Sequence, residues 1–124
     1  MLRWLSLIGG GAIGTVARYS VSKVLHENYT STFPIGTLVV NLTGCFVIGF
    51  LAALSEDKTW FSYEMKLFLI SGFCGAFTTF STFMFETSSL LKTGDLLRAT
   101  SYMMASMVVG FLFFRAGVFL GKIV

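Results

Sequence analysis

The sequence predicts an all-α membrane protein of four transmembrane helices, the third of them broken at mid-membrane. Three observations predict it. The 124 residues are 55% hydrophobic and only 12% charged, with a single Pro, and the mean hydropathy is +0.80, a membrane composition. Four segments come close to the roughly 20 apolar residues that cross a bilayer, at residues 4–25, 34–54, 65–91 and 97–123. The third is longer than a straight crossing needs, and its centre at residue 78 falls where Gly72, Gly75, Thr78 and Thr79 cluster.

The first segment begins as a signal peptide would, with Arg3 ahead of an apolar run, but stays apolar to about Leu25 without a small-residue cleavage site and is read as the first span. Gly10 and Gly14 stand at GxxxG spacing, which admits a neighbouring helix backbone. Thr32, Phe33 and Pro34 suit the start of the second span, because Pro is tolerated in the first turn, where its missing N–H is not needed. Trp60 and Tyr63 in the polar loop SEDKTWFSYEMK suit a membrane–water interface. The fourth segment repeats the GxxxG device with Gly117 and Gly121. Cys45 and Cys74 fall inside spans and suit packing, since two isolated thiols make neither a disulfide framework nor a metal site.

The third segment contains GFCGAFTTFSTF at residues 72–83. Unwound backbone survives at membrane depth only where it is buried in protein or lines a wet cavity, because each unpaired amide in lipid costs several kcal/mol. A break there therefore implies a site, as in transporters built from discontinuous helices. Against this stands a simpler reading in which the glycines allow close packing and the hydroxyls bond back to the preceding turn.

Arg18, Asn41, Glu86 and Arg115 lie inside spans, where an ionisable group costs at least about 2.5 kcal/mol on insertion scales. Each arginine could instead snorkel, and Glu86 could pair with one of them or sit protonated. Depth favours a shared site: at a rise of about 1.5 Å per residue, Arg18 and Asn41 lie about 10 Å from one membrane side, Phe83 about 12 Å and Ser106 about 13 Å. Thr78, Ser81, Thr82, Glu86 and Ser89 follow steps of three and four along one helix face, Phe80 and Phe83 line the adjacent face, and Thr37 reaches the level of Glu86. Hydroxyls ending at a carboxylate and bordered by phenyl rings make a path for something small and polar. The positive edge of a phenyl ring favours an anion without trapping it.

Lys and Arg are almost evenly divided. With four spans, Arg3, Lys58, Lys66 and Lys122 fall on one side and Lys23, Lys92 and Arg98 on the other. Orientation follows the asymmetry of these residues. The near balance allows insertion either way up and pairing of two inverted copies about an axis in the membrane plane. One orientation alone remains the plainer alternative.

GGGAIGTVARY (9–19), GTLVVNLTGCFVIGFL (36–51) and GFCGAFTTFSTFMFE (72–86) resemble the small fluoride channels of the Fluc/CrcB family. The resemblance implies an antiparallel dual-topology homodimer enclosing two fluoride pathways, passive export of toxic fluoride, and residence in the cell inner membrane among lipid, with no nucleic-acid partner and no enzymatic activity. It further implies that Phe80 and Phe83 are the aromatic pair of the pathway, Asn41 its pore amide and Arg18 its vestibule cation. Thr37, Ser81, Thr82 and Glu86 would form the polar track, with Ser106 joining it from the fourth span. A structural Na+ at the dimer centre would be held by the backbone carbonyls of Gly75 and Thr78. Ala76 stands where the family's pattern usually has Gly.

A small multidrug-type exporter, coupling proton entry to cation efflux, is the rival from sequence. Glu86 is its only candidate carboxylate and lies late in the third span, whereas such exporters place theirs in the first. A non-transporting membrane subunit would explain the glycines and leave Asn41 and the hydroxyl line without purpose. An enzyme is disfavoured because His26, the only histidine, has no clustered acid or Cys.

Overall fold

The computed structural model describes residues 1–29 and 31–124, and every described element is helical. Helix α1 spans Leu2–Asn28 and α2 spans Ile35–Asp57. The third crossing, Tyr63–Lys92, is assembled from α3 (Tyr63–Met65), a π-helical stretch π1 (Lys66–Cys74), α4 (Gly75–Phe77) and α5 (Phe80–Lys92). The fourth, Leu96–Ile123, comprises α6 (Leu96–Met104), the π-helical π2 (Ala105–Val109) and α7 (Gly110–Ile123).

Local chemistry sets the ends. The Tyr29 N–H closes α1 by donating to the Leu25 carbonyl at 2.9 Å, while Pro34 immediately precedes α2. Thr32, expected to start that helix, instead accepts a hydrogen bond from the Arg98 guanidinium. Ser62 caps α3 by accepting from the Met65 N–H at 3.2 Å, and Asp95 caps α6 through the Arg98 N–H at 3.2 Å. Between α5 and α6 the chain reverses at Gly94, whose φ of +78° is the only positive one among the described residues.

Among the described residues, three helices are long and apolar enough to cross a membrane: α2, the third crossing and the fourth. The four segments expected from the sequence are all helical, and the first falls outside this group on hydropathy, not on length. Helix α1 has the length, at 27 residues, but Arg18, Lys23 and four glycines dilute its hydropathy.

Glycine seams join the helices in two pairs. Along α1, the carbonyl oxygens of Phe68 and Phe73 sit where a Cβ on Gly10 or Gly14 would be, while a Cβ on Gly72 would meet the Leu7 carbonyl at 2.8 Å. Between α2 and α7, the Phe114 carbonyl stands over Gly49 and the Phe46 carbonyl over Gly117. Backbones this close associate by dispersion and Cα–H···O contacts, as membrane helices must when burial of apolar surface gives no advantage over lipid. Both GxxxG segments are thus packing faces. Large apolar side chains such as Phe111 and Phe119 point outward, Phe119 being 70% exposed, which suits hydrocarbon rather than water.

A candidate anion path at the helix break

The break falls at Thr78 and Thr79, where the backbone turns extended (Thr78 φ −81°, ψ 156°; Thr79 φ −147°, ψ 113°). Thr79 then restarts the helix as the N-cap of α5, its Oγ1 accepting from the Thr82 N–H at 3.3 Å. Asn41, on α2, spans the gap. Its Oδ1 accepts from the Thr79 N–H at 2.8 Å, and its Nδ2 donates to the Thr79 carbonyl at 3.1 Å. In an unbroken helix the N–H groups of Thr79 and Thr82 would serve the carbonyls of Gly75 and Thr78, four residues earlier. Both are engaged elsewhere, so those two carbonyls lose their helical donors. Gly75 is exposed, and a Cβ built on it meets nothing within 4 Å.

The hydroxyls run on from the break. Thr79 Oγ1 donates to Thr82 Oγ1 at 2.9 Å and lies 3.5 Å from Ser81 Oγ. Thr78 Oγ1 turns back to the Cys74 carbonyl at 2.9 Å, and Ser89 Oγ likewise to the Phe85 carbonyl at 3.0 Å. The back-bonding reading therefore holds for those two members of the face. One turn beyond Thr82, Glu86 accepts from the Thr37 hydroxyl at 2.8 Å through one oxygen and from the Tyr102 hydroxyl at 2.8 Å through the other. The carboxylate is thus satisfied by hydroxyls of two other crossings, and it pairs with neither Arg18 nor Arg115.

The aromatic rings follow the same line. Phe83 is 8% exposed and packs at 5.0 Å between centroids on Tyr102, which is fully buried and meets Phe33 edge-on at 5.6 Å. Phe80 lies 5.8 Å from Phe83, yet 74% of it is exposed. The two rings expected side by side thus differ in surroundings, one inside the protomer and one at its surface.

Two polar atoms are buried without a partner among the described residues, Arg18 Nε and Ser106 Oγ. Ser106 lies one helical turn after Tyr102, in π2. No hydrogen bond ties Arg18 to the Asn41 and Glu86 clusters. At the other end, a cavity of about 900 Å³ opens among the end of α1, the start of α2, the end of α5 and the start of α6, lined by Ser22, His26, Pro34, Arg98, Thr37 and Glu86 among others. It leads from that face of the bundle down to the carboxylate.

Apart from the bonds made within the third crossing, every bond in the line runs between crossings: α2 to the break, α2 to α5, and α6 to α5. The glycine seams join first to third crossing and second to fourth, and the polar residues occupy the junction between those pairs. No group of three or more His, Cys, Asp or Glu could hold a metal among the described residues.

Residues 5–118 match the family described as CrcB-like protein, Camphor Resistance (CrcB). The chain belongs to this family. Its CrcB relatives include a protein of Chlorobium phaeobacteroides (strain BS1) named fluoride-specific ion channel FluC, 47% identical over 120 residues that cover 96% of this chain and 93% of that one. Proteins of the same name from Hydrogenobaculum sp. (strain Y04AAS1) and Maridesulfovibrio salexigens are 41% and 38% identical. The first match covers 97% of this chain and 98% of its relative, the second 100% and 98%. A CrcB protein is an ion channel and no enzyme.

Tyr102 is the site residue that the sequence reading missed. Its one available signal is its spacing, four residues before Ser106 and so on the same helix face.

Proposed function

We propose that the protein is a fluoride-selective channel that lets toxic fluoride leave the cell passively across the inner membrane. The carrying observation is the likeness, over nearly the whole chain, to proteins named fluoride-specific ion channels. Hydrogen-bond donors and ring edges cannot by themselves name a halide. They do suit this one. Fluoride is small and strongly hydrated, so a conducting path must replace its water with donors at each step and remain narrow. Asn41, Ser81, Thr82, Thr37, Tyr102 and Ser106 supply N–H and O–H groups, and Phe80 and Phe83 supply positive ring edges. Arg18 adds a cation at the depth of Asn41, and Glu86 holds the Thr37 and Tyr102 hydroxyls in place until an ion competes for them.

The working unit in this reading is an antiparallel dual-topology homodimer in the lipid bilayer, with all four segments of each copy crossing. The even division of Lys and Arg supports it. So does Phe80, a pathway ring left open on the protomer surface that an inverted copy would cover. Helix α1, short of hydropathy alone, crosses by virtue of its glycine seam with π1.

A structural Na+ at the centre of the dimer completes the reading, held by the carbonyls of Gly75 and Thr78. The donor set fits, because both oxygens have lost their helical partners and unwound carbonyls are the usual protein ligands for this ion at membrane depth. One protomer offers two such oxygens, too few for a cation, and a symmetric pair doubles them. A bound ion would offset the partial negative charge of carbonyl oxygens that the break leaves without helical donors.

The test is efflux from liposomes read with a fluoride-selective electrode. Wild-type protein should release fluoride rapidly and retain chloride, and Phe80→Ile or Phe83→Ile should slow release sharply while the protein still purifies as a dimer. Undiminished efflux in both variants overturns the pathway.

A further inference from the structure

We infer that Asn41 is a positioning residue that holds the helix break open: by taking over the Thr79 backbone, it keeps the carbonyl of the exposed Gly75 without its helical donor. The inference deepens the reading of the break as a cation site and rests on it in one respect, the sodium response described below.

The chemistry is an exchange of partners. A primary amide has the donor and acceptor arrangement of a peptide group, and Asn41 presents both to one residue, Oδ1 to the Thr79 N–H and Nδ2 to the Thr79 carbonyl. The Thr79 N–H is the group that an intact helix would give to Gly75. Buried N–H groups are almost never left unpaired, so an extended Thr79 needs an acceptor from another helix, and Asn41 is the one the structure supplies. Threonine at 79 assists by capping α5 with its own hydroxyl, which withdraws the Thr82 N–H from Thr78 in the same way. Close approach of α2 completes the arrangement. A Cβ on Gly44, three residues after Asn41 and on the same face, would collide with the Thr78 methyl group, so the bare backbone there lets Asn41 reach the gap.

The exchange also limits what Asn41 can give a passing anion. Its oxygen and one N–H are committed to Thr79, leaving one N–H for an ion. Its contribution to permeation therefore runs through the shape of the break as much as through direct contact.

The sequence provides a direct probe. Gly followed by Ala occurs only at Gly11–Ala12 and Gly75–Ala76. Protein labelled with carbonyl-13C glycine and 15N alanine therefore gives two carbonyl–amide NMR cross-peaks, one from the break and one from the interior of α1 as an internal control. Removing both bonds with Asn41→Leu is expected to shift the Gly75 carbonyl resonance toward the hydrogen-bonded Gly11 position. Asn41→Asp, which keeps an acceptor for the Thr79 N–H, leaves it near the wild-type position. A Gly75 peak that stays in place in Asn41→Leu overturns the inference, even if efflux is lost, because Asn41 would then serve the ion alone. If Asn41→Leu does not fold, Asn41→Ser, too short to bridge both groups, is read in its place by the same criterion.

Replacing Na+ with N-methyl-D-glucamine separates this result from the cation reading. In wild type the Gly75 peak should move on exchange, and in Asn41→Leu that response should be lost. A wild-type peak indifferent to sodium but displaced by Asn41→Leu removes the ion and sustains the positioning role.

Discussion

Tyr102→Phe removes one hydroxyl and nothing else. The ring is fully buried between Phe83 and Phe33, contacts that phenylalanine retains, while its Oη–H donates to Glu86 at 2.8 Å. Hydrogen bonds to charged groups contribute about 1.5–3 kcal/mol in soluble proteins, but interhelical polar contacts measured inside membranes average about 0.6 and reach about 1.7 kcal/mol. Glu86 is only half-buried, so the bond is discounted from the upper end of these values. The expected loss is therefore about 1 kcal/mol, and Tyr102→Ala, which also empties the ring's volume, should cost about 3–5 kcal/mol. Reversible unfolding in mixed micelles measures both. A double-mutant cycle with Thr37→Val then tests whether the two hydroxyls act through one carboxylate, with an expected coupling of at least about 0.5 kcal/mol. Efflux from liposomes should fall roughly fivefold if the hydroxyl also serves the ion and the same loss of about 1 kcal/mol is added to the barrier, since 1.36 kcal/mol is about a factor of ten. A Tyr102→Phe protein of unchanged stability, additive with Thr37→Val, would refute the shared-carboxylate argument.

Three further outcomes are expected. Gly117→Ala forces its methyl group into the Phe46 carbonyl oxygen and should destabilise the protein by about 1–3 kcal/mol in the same unfolding assay, whereas Gly11→Ala, with nothing within 4 Å of the new Cβ, should not. A C-terminal tag should be labelled from both sides of the membrane if insertion is two-way, and a one-sided result excludes dual topology. Purification in N-methyl-D-glucamine instead of Na+ should lower the midpoint of thermal unfolding, and an identical midpoint leaves the carbonyls of Gly75 and Thr78 without a resident ion.

The break was legible because chain length and residue type converged on one place. A crossing too long for a straight helix, with two glycines and two threonines at its middle, placed the interruption at residue 78, and the extended residues are Thr78 and Thr79. That Thr37 lies at the level of Glu86 was legible as a match of depth, but not that its hydroxyl, rather than an arginine, would partner the carboxylate. The asymmetric burial of Phe80 and Phe83 was not, because a three-residue spacing places two rings on adjoining faces without saying which one a neighbouring helix covers. Tyr102 was missed because tyrosine in an apolar run reads as an interfacial anchor, and only a partner on another crossing reveals a buried hydroxyl. The π-helical turns were equally hidden, since their wider hydrogen bonding is imposed by packing rather than by residue preference.

Those wide turns bear on how the family could vary in length. In an α-helix, losing one residue swings everything beyond it through about 100°, which here would carry Thr82 and Glu86 away from α2. Within Lys66–Cys74, where the backbone already bonds five residues apart, a single deletion can be taken up by tightening one turn to four. That stretch is a reserve of slack upstream of the ion path, where one codon can vanish while the hydroxyl row keeps its heading.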